Sequence, residues 1–116
     1  MTTAVVQLSR GIDEAVSDVK ITRSPDGRIS VATFFLNEPN CMKPENMGNA
    51  DITGFYMIDE EGEIVTRTVN GKFINGQQAG IEAIYKMTSE YEWERFLRFM
   101  NRYAESNGMS LSRPEA

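Results

Sequence analysis

Asp59, Glu60, Glu61 and Glu63 crowd around Gly62 as the densest charge cluster of the chain. Carboxylates this close can hold a hard cation or divide general acid and base roles between them. A calcium loop alternates its oxygen ligands, however, and that alternation is absent here. A charged hairpin tip is also the ordinary way to keep a turn solvated. Cys41 would act as a nucleophile only if a cation lowered its pKa, and Lys43 stands two positions away. An inert loop thiol is the simpler reading. In the segment EWERFLRFMNRY, Arg95, Arg98 and Arg102 fall at i, i+3 and i+7, so on a helix they form one cationic edge able to meet phosphate or an acidic partner. Glu92, Glu94 and Glu105 lie near enough to pair with them. That describes a solvated helix face, on which each pair contributes about 0.3–0.5 kcal/mol.

The chain has no histidine, which removes the commonest general base and zinc ligand and with them the Ser-His-Asp and Cys-His arrangements. No phosphate-cradling glycine loop or dinucleotide fingerprint occurs. The balance of 12 Lys and Arg against 17 Asp and Glu, a net charge of -5, opposes nucleic-acid binding, which depends on clustered cationic charge. No recognisable active site remains and no cofactor is implied. A small-ligand domain or an enzyme with an unfamiliar site stays as the alternative, supported by the acidic cluster and Cys41.

The elements that must position these residues are mostly strands. Ala4 to Leu8, Val19 to Thr22 and Ile29 to Phe35 read as strands, the last two joined by the turn Ser24-Pro25-Asp26-Gly27. Asn37 to Ala50 lacks periodicity and reads as a mobile surface loop. Ile52 to Ile58 and Ile64 to Ile74 form a hairpin across Asp59-Glu60-Glu61-Gly62, and Asn70-Gly71 marks a bulge or bend in the second strand. Asn75-Gly76 predicts a type I′ turn into a return strand over Ala79 to Met87. Ser89 and Glu92 have capping-box spacing, so a helix starts there and stops at Asn107-Gly108. Its buried stripe is Trp93, Phe96, Leu97, Met100 and Ala104, with Tyr103 at the margin. Phe99 points away from that stripe, either as the flank of a wide core face or as part of a docking patch. The fold class is therefore α+β: an antiparallel sheet or sandwich built from hairpins, with one amphipathic C-terminal helix.

A length of 116 residues suits one domain over 1–116, with about 110–116 as a frayed tail. One cysteine cannot form an internal disulfide, and the longest apolar run, near Phe55 to Ile58, is far short of the roughly 20 residues that cross a bilayer. The N-terminus lacks the marks of a secretory or organelle import leader.

Several long motifs occur in one order: LSRGIDEAVSDVKITRS, DEEGEIVTR, VNGKFING, IEA and EWERFLRFMNRYAESNG. Together they resemble the photosystem II assembly proteins of the Psb twenty-eight kind, found in cyanobacteria and plastids. The likeness covers nearly the whole chain except 37–50, where CMKPENM departs from typical members and leaves open which of two cyanobacterial paralogues this is. The resemblance implies a mixed β fold with a C-terminal helix and a non-catalytic, cofactorless accessory protein. Such a protein binds photosystem II intermediates transiently on the cytoplasmic or stromal face of the thylakoid. Its partners would be the inner antenna and reaction-centre subunits, its membrane association would be indirect, and it would be a monomer when free. The absent leader favours a cyanobacterial or plastid-encoded source.

A physical route for docking is strand addition, in which a partner segment hydrogen-bonds to an exposed sheet edge. The stretch from Glu63 to Ile74 is the expected platform. Thr66, Thr68, Asn70 and Lys72 alternate on one face as the candidate partner-binding residues, while Val65, Arg67, Val69 and Phe73 take the other. A solvated sheet face is the plainer alternative.

Overall fold

Alternation at period two sends every second side chain of a strand inward, and in Ser30–Asn37 the residues Ala32, Phe34 and Leu36 are buried accordingly. The computed structural model describes residues 4–42 and 52–107. Its strands are β1 (Val5–Gln7), β2 (Asp13–Glu14), β3 (Asp18–Arg23), β4 (Ser30–Asn37), β5 (Phe55–Asp59), β6 (Gly62–Thr66), β7 (Thr68–Ile74) and β8 (Gln77–Met87), followed by the helix α1 (Glu90–Asn107). They make two four-stranded antiparallel sheets, ordered β2-β1-β5-β6 and β3-β4-β8-β7. The fold is α+β, as its pattern predicts. The two-residue β2 is an addition, paired with β1 through Val6 and Glu14. It is too short to carry a periodic signal.

The turns follow local chemistry. Gly27 donates its amide to the Ser24 carbonyl at 2.9 Å, closing the β3–β4 turn. Asn75 and Gly76 have φ of 53° and 77°, the left-handed pair that a type I′ turn requires. Gly80 is needed for another reason: a Cβ there would stand 2.6 Å from the Leu36 carbonyl oxygen of the neighbouring strand. Of the expected loop over Asn37 to Ala50, Asn37 ends β4 and Asn40–Met42 forms a 3-10 turn. Residues 43–50 of that loop, like the expected tail over 110–116, lie outside the described residues.

The stretch expected as one strand from Ile64 to Ile74 is two strands in two sheets. Its β-branched and aromatic composition is continuous, but its pairing is not. The β5–β6 ladder ends at Phe55 with Thr66, and the β7–β8 ladder begins at Thr68 with Ile84. Arg67 is the pivot between them. The Thr66 hydroxyl bridges the gap, donating to the Ile84 carbonyl at 2.6 Å and accepting the Thr68 amide at 3.3 Å. The bulge expected at Asn70-Gly71 falls slightly later, as a register shift between Lys72 and Phe73.

The helix begins as its spacing predicts: Glu92 donates its amide to the Ser89 hydroxyl at 3.1 Å, and its carboxylate accepts that hydroxyl at 3.0 Å. Its buried face comprises Trp93, Phe96, Phe99, Met100, Tyr103 and Ala104. Phe99 is thus part of a wide core face and not a docking patch, Tyr103 is corrected from the margin to the core, and Leu97 becomes the half-buried flank. The cause is tertiary, because α1 packs against β5 of one sheet and β8 of the other, so its covered arc is wider and rotated from the stripe read in isolation. Phe34 joins the layers, with its ring centroid 4.7 Å from that of Phe55 and 6.1 Å from that of Phe96. The Tyr103 hydroxyl accepts the buried amide of Val16 at 3.0 Å, tying the end of α1 to the chain entering β3. No helix of the described residues is long and apolar enough to cross a membrane.

Candidate docking surface

The acidic hairpin and the arginine edge, distant in sequence, are brought together. Antiparallel pairing of β5 with β6 projects Asp59, Glu60 and Glu61 toward the face of α1 that carries Arg95, Arg98 and Arg102. Arg95 grips the fully buried Asp59 carboxylate with two hydrogen bonds of 2.7 and 2.9 Å, and Arg102 adds a third at 2.9 Å. Arg98 makes a two-point pair with Glu61 at 2.8 and 3.0 Å, and Arg102 also bonds Glu61 and lies 3.3 Å from Glu60. The arginines therefore pair across the fold with the hairpin, not along the helix with Glu92, Glu94 and Glu105.

The electrostatics follow from this geometry. Burial opposes ionisation of Asp59, but hydrogen bonds from Arg95 and Arg102 outweigh it and hold the group below the usual carboxylate range. Hydrogen bonds from Arg98 and Arg102 lower Glu61 to about 2. Glu61 and Asp59 raise Arg102 in return. Three guanidinium groups face three carboxylates, so the ring has no spare charge for phosphate. The same pairing occupies the carboxylates that could have shared a cation. A dense run of acids and a dense run of arginines were the available sequence signal for this meeting; nothing local ties one to the other.

Cys41 is buried beside Glu14, whose carboxylate accepts the amides of Asn40 at 2.6 Å and Cys41 at 2.9 Å. Burial, then the Glu14 charge, pushes the thiol up to about 11. That is the opposite of nucleophile activation.

The candidate partner-binding residues divide at the sheet switch. Thr66 ends β6 with its hydroxyl committed to the Ile84 carbonyl and the Thr68 amide. Thr68, Asn70 and Lys72 belong to β7, paired in register with Ile84, Glu82 and Gly80. Thr68 and Asn70 are exposed, while Val69 packs against the core. β7 is an edge strand: β8 lies on one side and no described strand on the other. At the opposite edge, β3 carries Asp18, Lys20 and Arg23, and charged residues discourage pairing. From Thr68 to Gly71 the β7 edge carries no charge.

A family model described as Psb28 protein matches residues 6–111 of the chain. The photosystem II reaction center Psb28 protein of Synechococcus elongatus is 54% identical over 110 residues, covering 94% of this chain and 96% of the relative. The photosystem II assembly factor Psb28 protein of Thermosynechococcus vestitus is 51% identical over 113 residues, covering 97% and 95%. The photosystem II reaction center Psb28 protein of Guillardia theta is 47% identical over 111 residues, covering 95% and 96%.

Proposed function

The chain belongs to the Psb28 family, and from that premise we propose that it is a non-catalytic accessory factor of photosystem II. It binds assembly intermediates transiently at the cytoplasmic or stromal face of the thylakoid, contacting inner antenna and reaction-centre subunits and reaching the membrane through them. The family supplies the partner; the edge position of β7 carries the choice of docking surface. An extended partner segment adds beside Thr68 to Lys72, taking up main-chain hydrogen bonds that the edge leaves open beyond the Thr68 and Val69 amides, which the Thr66 hydroxyl and the Arg67 carbonyl accept. Exposed Thr68 and Asn70 present polar side chains to it, and Gly71 offers no side chain to obstruct a close backbone approach. Thr66 contributes indirectly, by setting where β7 starts.

The test is capture from solubilised thylakoid membranes with the tagged full-length chain. Inner antenna and reaction-centre subunits should be recovered together. A retained small molecule or nucleic acid, with photosystem subunits absent, would overturn the proposal in favour of a ligand-binding or nucleic-acid role. Pure lipid vesicles should not bind the chain, because attachment runs through protein partners.

A further inference from the structure

Among the described residues β6 has a strand partner on one side only, β5, yet it is the segment from which the edge strand β7 departs. Its other ties come from side chains. At the turn, Arg95 bonds Asp59 and lies 3.4 Å from the Gly62 carbonyl, while Asp59 also accepts the Glu61 amide at 3.0 Å. Glu63 accepts two hydrogen bonds from Arg10, at 2.9 and 3.0 Å, and that guanidinium lies 4.1 Å from the centroid of the Tyr56 ring on β5. At the far end the Thr66 hydroxyl staples β6 to β8. The helix does not need the hairpin ring for its own seat, since Phe96, Phe99 and Met100 hold it through the core.

We propose that Asp59, within its ring of arginines, is a positioning residue for the docking edge, fixing β6 against α1 so that β7 leaves the pivot at Arg67 in one direction. The proposal rests on the assignment of β7 as the docking strand. Three features support it. Asp59 accepts hydrogen bonds from both Arg95 and Arg102. Its carboxylate is fully buried and thus shielded from salt. The only residue between the clamped hairpin strand and β7 is Arg67, so displacement of β6 passes directly to the start of the edge.

Native-state hydrogen exchange on the full-length chain tests the device, using Asp59→Asn, the milder Arg98→Gln and a matched destabilised control, Ala32→Gly on β4. Amides of 62–71 should exchange at least about tenfold faster in Asp59→Asn and less so, in the same direction, in Arg98→Gln, while amides of 18–37 stay within about twofold. The control should accelerate both regions together. Capture of photosystem subunits should weaken in both charge variants. Equal acceleration of both regions, or no change in 62–71, overturns the positioning role; if Asp59→Asn does not fold, Arg98→Gln decides. Failure of the wild-type chain to capture photosystem subunits would instead remove the docking assignment, and the exchange result would still decide whether Asp59 orders the edge.

Discussion

Arg95 and Asp59, 36 positions apart in sequence, meet through two hydrogen bonds of 2.7 and 2.9 Å in a place that water does not reach on the carboxylate side. A buried carboxylate is tolerated only when its lone pairs are used, and here two guanidinium groups and the Glu61 amide use them. Both charge clusters thereby join as one structural unit.

Acid should loosen that unit. Glu61 is lowered from 4.5 to about 2 in the folded state, so its ionised form favours folding. This contribution is complete above the unfolded value and fades as pH falls from about 4.5 through about 2, with Asp59 acting in the same direction. Urea midpoints measured at descending pH should drop across that window, and Arg98→Gln should flatten the decline. A wild-type midpoint that stayed level there would contradict the assignment.

Phe96→Ala and Phe99→Ala should each cost about 3–5 kcal/mol in urea unfolding, the usual loss for a buried aromatic residue. Both rings are fully buried. A much smaller loss for Phe99 would mean that it lies at the margin of the core after all.

Cys41 should react slowly with iodoacetamide near pH 8 in the folded chain and rapidly in urea, because its thiol is buried and raised to about 11. Glu14→Gln should lower the thiol pKa by removing a neighbouring negative charge. Fast native labelling would reopen a nucleophilic role.

Proline substituted in turn from Val69 to Lys72 should separate the two sides of β7. Where the amide points toward β8, proline breaks the ladder and reduces stability. Where it points outward, the fold should survive by circular dichroism while capture of photosystem subunits is lost. Side-chain changes such as Thr68→Ala should weaken capture only modestly, since main-chain bonds supply much of the affinity. Folded proline variants that all retained capture would move the docking surface elsewhere.

Local chemistry was legible in the sequence wherever a few neighbouring residues decide the outcome. Ser24 to Gly27 and Asn75-Gly76 specify their turns, Ser89 and Glu92 specify the helix start, and period-two alternation specifies β4 and β8. The family was legible too, because its motifs are ordered along nearly the whole chain. Three matters were decided by the tertiary structure alone. Ile64 to Ile74 divides at Arg67 because β5 and β8 offer their ladders in different sheets, and propensity is blind to which partner a strand meets. Phe99 is core because two sheets flank α1, which widens the covered arc beyond one periodic stripe. The arginines take Asp59, Glu60 and Glu61 over nearer glutamates because folding places the hairpin tip beside the helix, where the buried, multiply bonded Asp59 holds Arg95 and Arg102 more strongly than solvated partners on the same helix face would.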